Sequence, residues 1–315
     1  MSTAKSFDKD ISDFIKTELN GVKDTLLKKF NKNMENRKNN PFCSFNKKEI
    51  IMYMMAGRSF DSQLGTRLQH IAMYMARKKY GAEYVPNLIV LSFDDKTNEL
   101  VMKTVTDPIT KGTQQKIMWA KSLDDATTII LNKRKKHLKN NPNMFKEYRF
   151  DMDKKTASEL PNKVIPKKDQ EKISSGKKVD IDRIVDLLYI YGDKKNKICS
   201  FEIKAGGNLD TKNSVPNIDE VDELRDLFFF FGKSEAYFAT CYNNMGEGNE
   251  PQGYIFTQID RKKQLRGSEF WDKILPEKWD YSHFIDIYRK CFNSVKLEAA
   301  LKDTIKRATD DGTAQ

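Results

Sequence analysis

The chain has 315 residues, enough to bury a sizeable core, and carries 56 Lys and Arg against 45 Asp and Glu, a formal net charge of +11. That excess attracts polyanions, with nucleic acid the commonest such partner, although charge alone does not decide function. No run of about 18 apolar residues is present and Met1 to Asp10 lacks the apolar centre of a secretory signal, so the expectation is a cytoplasmic protein with no membrane span.

Residues 1 to about 40 predict a helical N-terminal arm, with Phe14, Ile15, Leu19, Val22, Leu26 and Leu27 at helical spacing. A capping-box pattern from Asn46 to Glu49 opens a short helix that is expected to stop at Gly57. The Arg58 to Ser62 segment then reads as a turn and cap for a strongly periodic helix carrying Leu64, Leu68, Ile71, Ala72 and Met75 on one face and ending at Gly81. Asn87 to Phe93 and Leu100 to Val105 form a β-hairpin, and a helix follows around Leu123 to Lys139. The tail of that helix holds Lys133, Arg134, Lys135 and Lys136, the densest basic run and a candidate DNA contact, though such runs also serve simply as solvated helix ends. More lysines follow at 151–178.

Ile184 to Tyr191 and Ile198 to Ala205 read as two apolar strands joined by a turn-forming Gly192 to Lys197. After the Gly206-Gly207 break come a helix near Ile218 to Phe231 and a strand at Ala236 to Tyr242. The order strand, strand, helix, strand predicts an α/β (α+β) fold, a central mixed β-sheet flanked by helices. The expected organisation is the arm at 1–40 followed by a single catalytic domain at 41–315, with a basic DNA-contacting insertion at about 94–178. The four cysteines, Cys43, Cys199, Cys241 and Cys291, are far apart and form no CxxC pair, so neither a disulfide framework nor a zinc site is expected.

The chemistry concentrates in the second hairpin. An acid-x-lysine pair is weak evidence alone, expected by chance about eight times in this composition. In Ile198 to Ala205, however, strand alternation puts Glu202 and Lys204 on one face of an apolar strand, about 7 Å apart. Two charges there are costly unless each finds a partner or a ligand. The preceding strand brings Asp186 toward them across an antiparallel pair. Two carboxylates and an ammonium then converge, an arrangement that suits Mg²⁺, a bound water and a substrate phosphate. Gly232-Lys233-Ser234 is no phosphate loop, because position 227, where the motif needs glycine, is Leu227. His70, His137 and His283 are too scattered for a zinc site or a triad.

Asp186, sixteen positions before Glu202-Ile203-Lys204 across a hairpin, resembles the PD-(D/E)XK nuclease signature. Val185 stands where that signature has proline, which leaves Asp182 as a competitor for the first metal-ligand position. Arg58 to Gly65 with Gln69, Glu202 to Asp210, and Phe270 to Ile274 resemble segments of a Type II restriction endonuclease family that reads GGNCC-type interrupted palindromes. The resemblance implies a restriction-endonuclease-like core and Mg²⁺-dependent cleavage of double-stranded DNA, leaving 5′-phosphates. It also implies a twofold homodimer and a cognate DNA methyltransferase as functional partner. Asp186, Glu202 and Lys204 would be catalytic, the two acids holding the metal. Asp61, Gln69, Asp182, Asn208, Asp210 and Lys212 are further candidates for site or DNA contacts, Gln69 standing where many relatives have an acid. A repair or junction-resolving nuclease shares the same metal chemistry, and a non-catalytic DNA-binding protein is the rival of another class.

Overall fold

The computed structural model describes residues 2–38, 48–106, 115–120, 122–140, 145–164, 182–192, 197–206, 211–229 and 234–310. The chain divides into two units, one made of Met1–Ile71 with Trp279–Gln315 and the other of Ala72–Lys278.

The first unit is helical. Helix α1 (Ser2–Lys38) carries Ile11, Ile15, Leu19, Val22, Leu26 and Phe30 at steps of three and four, all buried. They pack against α8 (Tyr281–Ser294) and α9 (Leu297–Asp310) near the C-terminus. Val22 and Leu26 cluster with Leu297, and Phe30 with Met52 and Ile305. Met52 lies on α2 (Lys48–Tyr80), which is one continuous helix. The stop expected at Gly57 and the turn expected at Arg58 to Ser62 are therefore both corrected. A glycine inside a helix costs only about 1 kcal/mol against alanine, and the buried Met52, Ala56, Leu68 and Ile71 on either side outweigh it. Helix α2 ends where the expectation put it, since Gly81 takes φ of 98°, a backbone that glycine adopts without strain.

The second unit holds two mixed sheets. Strands β1 (Leu88–Asp94) and β2 (Glu99–Val105) form the expected hairpin, with Leu88 opposite Val105 and Asp94 opposite Glu99. Strand β3 (Gln115–Trp119) runs parallel to β1, β4 (Phe145–Asp151) flanks β2, and β5 (Asp182–Val185) pairs antiparallel with β3. The order is β4-β2-β1-β3-β5. Between these strands lie α3 (Leu123–Asn140) and α4 (Lys154–Val164). The second sheet has the order β6 (Leu187–Tyr191), β7 (Lys197–Lys204), β8 (Glu235–Thr240), β9 (Gln264–Arg266). Strand β7 is antiparallel to β6 and parallel to β8, the crossover being α5 (Thr211–Phe229). Two short helices, α6 (Tyr254–Gln258) and α7 (Ser268–Ile274), flank β9.

The strand expected over Ile184 to Tyr191 is thus divided at Asp186, and the expected α/β fold of mixed strands among helices carries its strands in two mixed sheets. Val185 still pairs with Gln115 of β3, whereas Leu187 already pairs with Phe201 of β7. The buried Gln115 side chain stabilises the changeover. Its amide accepts from the Leu188 N–H and donates to the Leu188 carbonyl at 2.8 Å, so a side chain replaces the backbone pairing that β3 no longer supplies. On the face that also carries Glu202 and Lys204, Leu188, Ile190 and Ile198 share a core with Leu224, Leu227 and Phe228 of α5.

Candidate active site

Asp186 occupies the gap between β5 and β6. Carrying the β6–β7 register one residue past Leu187–Phe201 sets Asp186 opposite Glu202. There its Oδ2 accepts the Ile203 backbone N–H at 2.7 Å, taking up a donor that β6 has left behind. Glu202 and Lys204 alternate with Phe201 and Ile203 along β7, so they share the face of Ile198, which packs toward α5. Lys204 Nζ donates to Glu202 Oε1 at 2.5 Å. Asp186 and Glu202 are each only 7% exposed.

Burial, and then the charge of Asp186, hold the Glu202 carboxyl above the usual glutamate value, with the Lys204 charge opposing them. Burial alone would lower the Lys204 ammonium, but the charges of Glu202, Asp186 and Glu220 outweigh it, so the lysine keeps its proton more firmly than usual. Glu220, on α5, hydrogen-bonds the Glu202 carboxyl and is pushed up to about 7, by desolvation first and by the Glu202 charge second. Arg183, on β5 and 7% exposed, pins this helix by donating to the Glu220 carbonyl at 2.9 Å and pairing with Glu223, also at 2.9 Å. Asp186, Glu202, Lys204 and Glu220 therefore form one interacting group of three carboxyls and one ammonium, with the Arg183 guanidinium also acting on Glu202 and Glu220.

The remaining sequence candidates are described to different extents. Asp182 begins β5 opposite Met118 in the five-stranded sheet, and its side chain lies outside the described ones. Asn208 and Asp210 lie outside the described residues, and Lys212 is in the first turn of α5 with its side chain outside them. Lys133, Arg134, Lys135 and Lys136 lie in the second half of α3, their side chains likewise outside the described set. Asp61 and Gln69 are on α2 in the other unit. Cys199, Cys241 and Cys291 are free, buried thiols, while Cys43 is outside the described residues. Glu220 and Arg183 were missed by the sequence reading. The signal for Glu220 was present in the spacing of Val221, Leu224, Leu227 and Phe228, which turns one side of the helix to the sheet and leaves Glu220 at its margin.

The donor set fits a hard divalent cation. Asp186 and Glu202 offer carboxylate oxygens across one strand gap, and their crowding with Glu220 leaves a negative excess that a cation would relieve. Among the described residues no three His, Cys, Asp or Glu stand close enough to cage a metal by themselves. Magnesium does not need such a cage, because it takes one or two carboxylates and fills the rest of its shell with water and substrate phosphate.

No curated protein and no solved structure gives a match to the chain. A family model does, the Type II restriction endonuclease family HinfI, over residues 7–291. That span includes the strand gap at Asp186, the β7 pair and α5, and on it the chain belongs to the HinfI family of Type II restriction endonucleases, site-specific deoxyribonucleases.

Proposed function

We propose that this endonuclease hydrolyses double-stranded DNA with Mg²⁺ held by Asp186 and Glu202 and with Lys204 at the reacting phosphate. The observation that supports it is the strand gap that sets Asp186 opposite Glu202 while Lys204 projects from the same face of β7. When bound, magnesium supplies a Lewis acid for the phosphate and lowers the pKa of a coordinated water. The protein contributes a fixed charge. Lys204, held protonated by its acidic neighbours, offsets the negative charge that grows on the phosphate oxygens and hydrogen-bonds the attacking water. Water oxygen joins phosphorus, the bond from phosphorus to the 3′ oxygen breaks, and that oxygen leaves with a proton. The ends are a 5′-phosphate and a 3′-hydroxyl.

Asp182, Asn208, Asp210 and Lys212, with Asp61 and Gln69, belong to the proposal as secondary contacts, and Lys133 to Lys136 as phosphate contacts within the 94–178 segment. Neutralising these basic residues should lower the slope of log affinity against log salt by about 0.9 for each DNA phosphate that then keeps its counterion. The proposal also includes a homodimer cutting both strands of a palindrome, a cognate methyltransferase and a cytoplasmic location. No helix among the described residues is long and apolar enough to cross a membrane. The test is incubation with supercoiled and linear DNA in Mg²⁺ and in EDTA, followed by sequencing of the ends. Discrete 5′-phosphorylated fragments that depend on Mg²⁺ are expected, and the GGNCC-type site is one sequence the ends would reveal. Undiminished cleavage in EDTA, or none in Mg²⁺, would overturn the mechanism.

A further inference from the structure

Strands β7, β8 and β9 run parallel and end together, with Lys204, Thr240 and Arg266 in register. The pairing continues past the ladder, since the Cys241 N–H donates to the Lys204 carbonyl at 2.9 Å and the Tyr242 N–H to the Ala205 carbonyl at 3.2 Å. The backbone of Tyr242 is therefore fastened beside the strand that carries Glu202 and Lys204. Its side chain turns across Gly206, two residues beyond Lys204. A Cβ at position 206 would stand 2.5 Å from the Tyr242 hydroxyl and from the ring carbon bearing it, so only glycine leaves the phenol this place.

Tyr242 is 47% exposed, although its backbone lies beside the end of the strand that carries Glu202 and Lys204. No hydrogen-bond partner for its hydroxyl is found among the described residues. The loop it opens is held in shape. Asn243 Nδ2 donates to the Asn249 carbonyl at 2.6 Å, Asn244 Nδ2 to the Gln252 carbonyl at 2.8 Å, and Asn249 Nδ2 to the Met245 carbonyl at 2.8 Å. A fixed backbone, an exposed phenol and a glycine that admits it provide a preorganised donor at the edge of the site.

The geometry points to Tyr242 as a substrate-contact residue whose hydroxyl donates a hydrogen bond to the DNA phosphate next to the scissile one. This rests on the proposed nuclease mechanism and adds to it the placement of the strand beyond the cut. A tyrosine hydroxyl is among the groups that hold DNA phosphates, and being neutral it releases no condensed counterion.

The test uses the full chain, Ca²⁺ in place of Mg²⁺ for binding, Mg²⁺ for single-turnover cleavage, and a duplex bearing the mapped cut site. Tyr242→Phe should weaken binding by about tenfold at every salt concentration, with the salt slope unaltered and the melting temperature unchanged. A neutral methylphosphonate at the neighbouring phosphate should weaken binding by the unaltered protein and add nothing to the loss in Tyr242→Phe. Gly206→Ala, which displaces the phenol without touching its hydroxyl chemistry, should reproduce the Tyr242→Phe loss. If the unaltered chain cuts DNA and Tyr242→Phe binds and cuts as well as it does, this inference alone is overturned. The same holds if Tyr242→Phe binds weakly yet keeps the full methylphosphonate penalty. If the unaltered chain cuts nothing in Mg²⁺, the nuclease mechanism fails and takes this inference with it.

Discussion

Two buried glutamates, one in each unit, sit in opposite electrostatic company. Glu18 of α1, 3% exposed, accepts from Arg67 Nη1 at 3.0 Å and lies 2.9 Å from His70 Nδ1. Burial would raise its carboxyl, but the hydrogen bonds and charges of His70 and Arg67 overcome burial and hold it below the usual glutamate value. Glu202, 7% exposed, has one lysine and faces two further carboxyls, and it is held above the usual value. The first cluster matches its carboxylate with two basic partners and ties α1 to α2. The second carries a negative excess, the condition under which a cation adds most. Buried acid by itself therefore signals nothing, and the balance of partners around it separates structure from function.

The largest expected effect breaks the functional half of this contrast. Lys204→Ala should lower single-turnover cleavage about 1000-fold while DNA binding in Ca²⁺ stays within a few-fold of the unaltered protein, because it removes charge that matters most when the phosphate becomes more negative. Equal losses in binding and cleavage would assign Lys204 to ground-state binding instead.

The structural half breaks at Glu18. Glu18→Gln leaves Arg67 and His70 facing a neutral amide in a buried place, so unfolding by denaturant should show a loss of about 3 kcal/mol with the cleavage rate per folded molecule unchanged. Because the folded carboxyl lies below its ordinary value of 4.5, its stabilisation is present above that pH and is lost as pH falls through the folded value. A variant as stable as the parent would show that the triad adds nothing to the helical unit.

These contrasts explain which parts of the molecule were readable in advance. The α1 positions Ile15, Leu19, Val22 and Leu26, the β1–β2 hairpin and the β6–β7 hairpin rest on local periodicity and turn residues, which a sequence displays directly. Strand β4 escaped notice because it alternates weakly, with Lys146, Glu147, Arg149 and Asp151 exposed along it. The division of the sheet at Asp186 depends on the Gln115 amide, seventy-three positions from the Leu188 backbone that it pairs. No local pattern carries that information. Continuity of α2 through Gly57 is likewise a tertiary outcome, decided by the burial of Met52 and Leu68 rather than by the glycine. At the site, the convergence of Asp186 with Glu202 and Lys204 followed from strand alternation, whereas the role of Arg183 required knowing how α5 returns over the sheet.

Glu202→Gln sharpens the comparison by reversing the sign expected at Glu18. Removing one of three crowded carboxyls should stabilise the metal-free protein by about 1 kcal/mol and at the same time abolish stabilisation by added Mg²⁺ or Ca²⁺ in thermal melts. A destabilised variant that still responds to the cation would place Glu202 in the same structural class as Glu18.

The smallest effect concerns pH at Glu220. Its carboxyl is pushed up to about 7 from an ordinary value of 4.5, so between those values the folded protein holds a proton that the unfolded chain has released. The associated stability is fully present below about 4.5 and is lost as pH rises through about 7, opposite in sense to Glu18. Metal-free melting temperature should therefore fall modestly from pH 5 to pH 8, and Mg²⁺ bound by Asp186 and Glu202 should recover the loss at pH 8 by offsetting the charge beside Glu220. Glu220→Gln should flatten the pH dependence and reduce the recovery. If the unaltered protein and Glu220→Gln show the same slope, Glu220 does not share the charge of the Asp186 and Glu202 pair, and the site contracts to the residues of the hairpin.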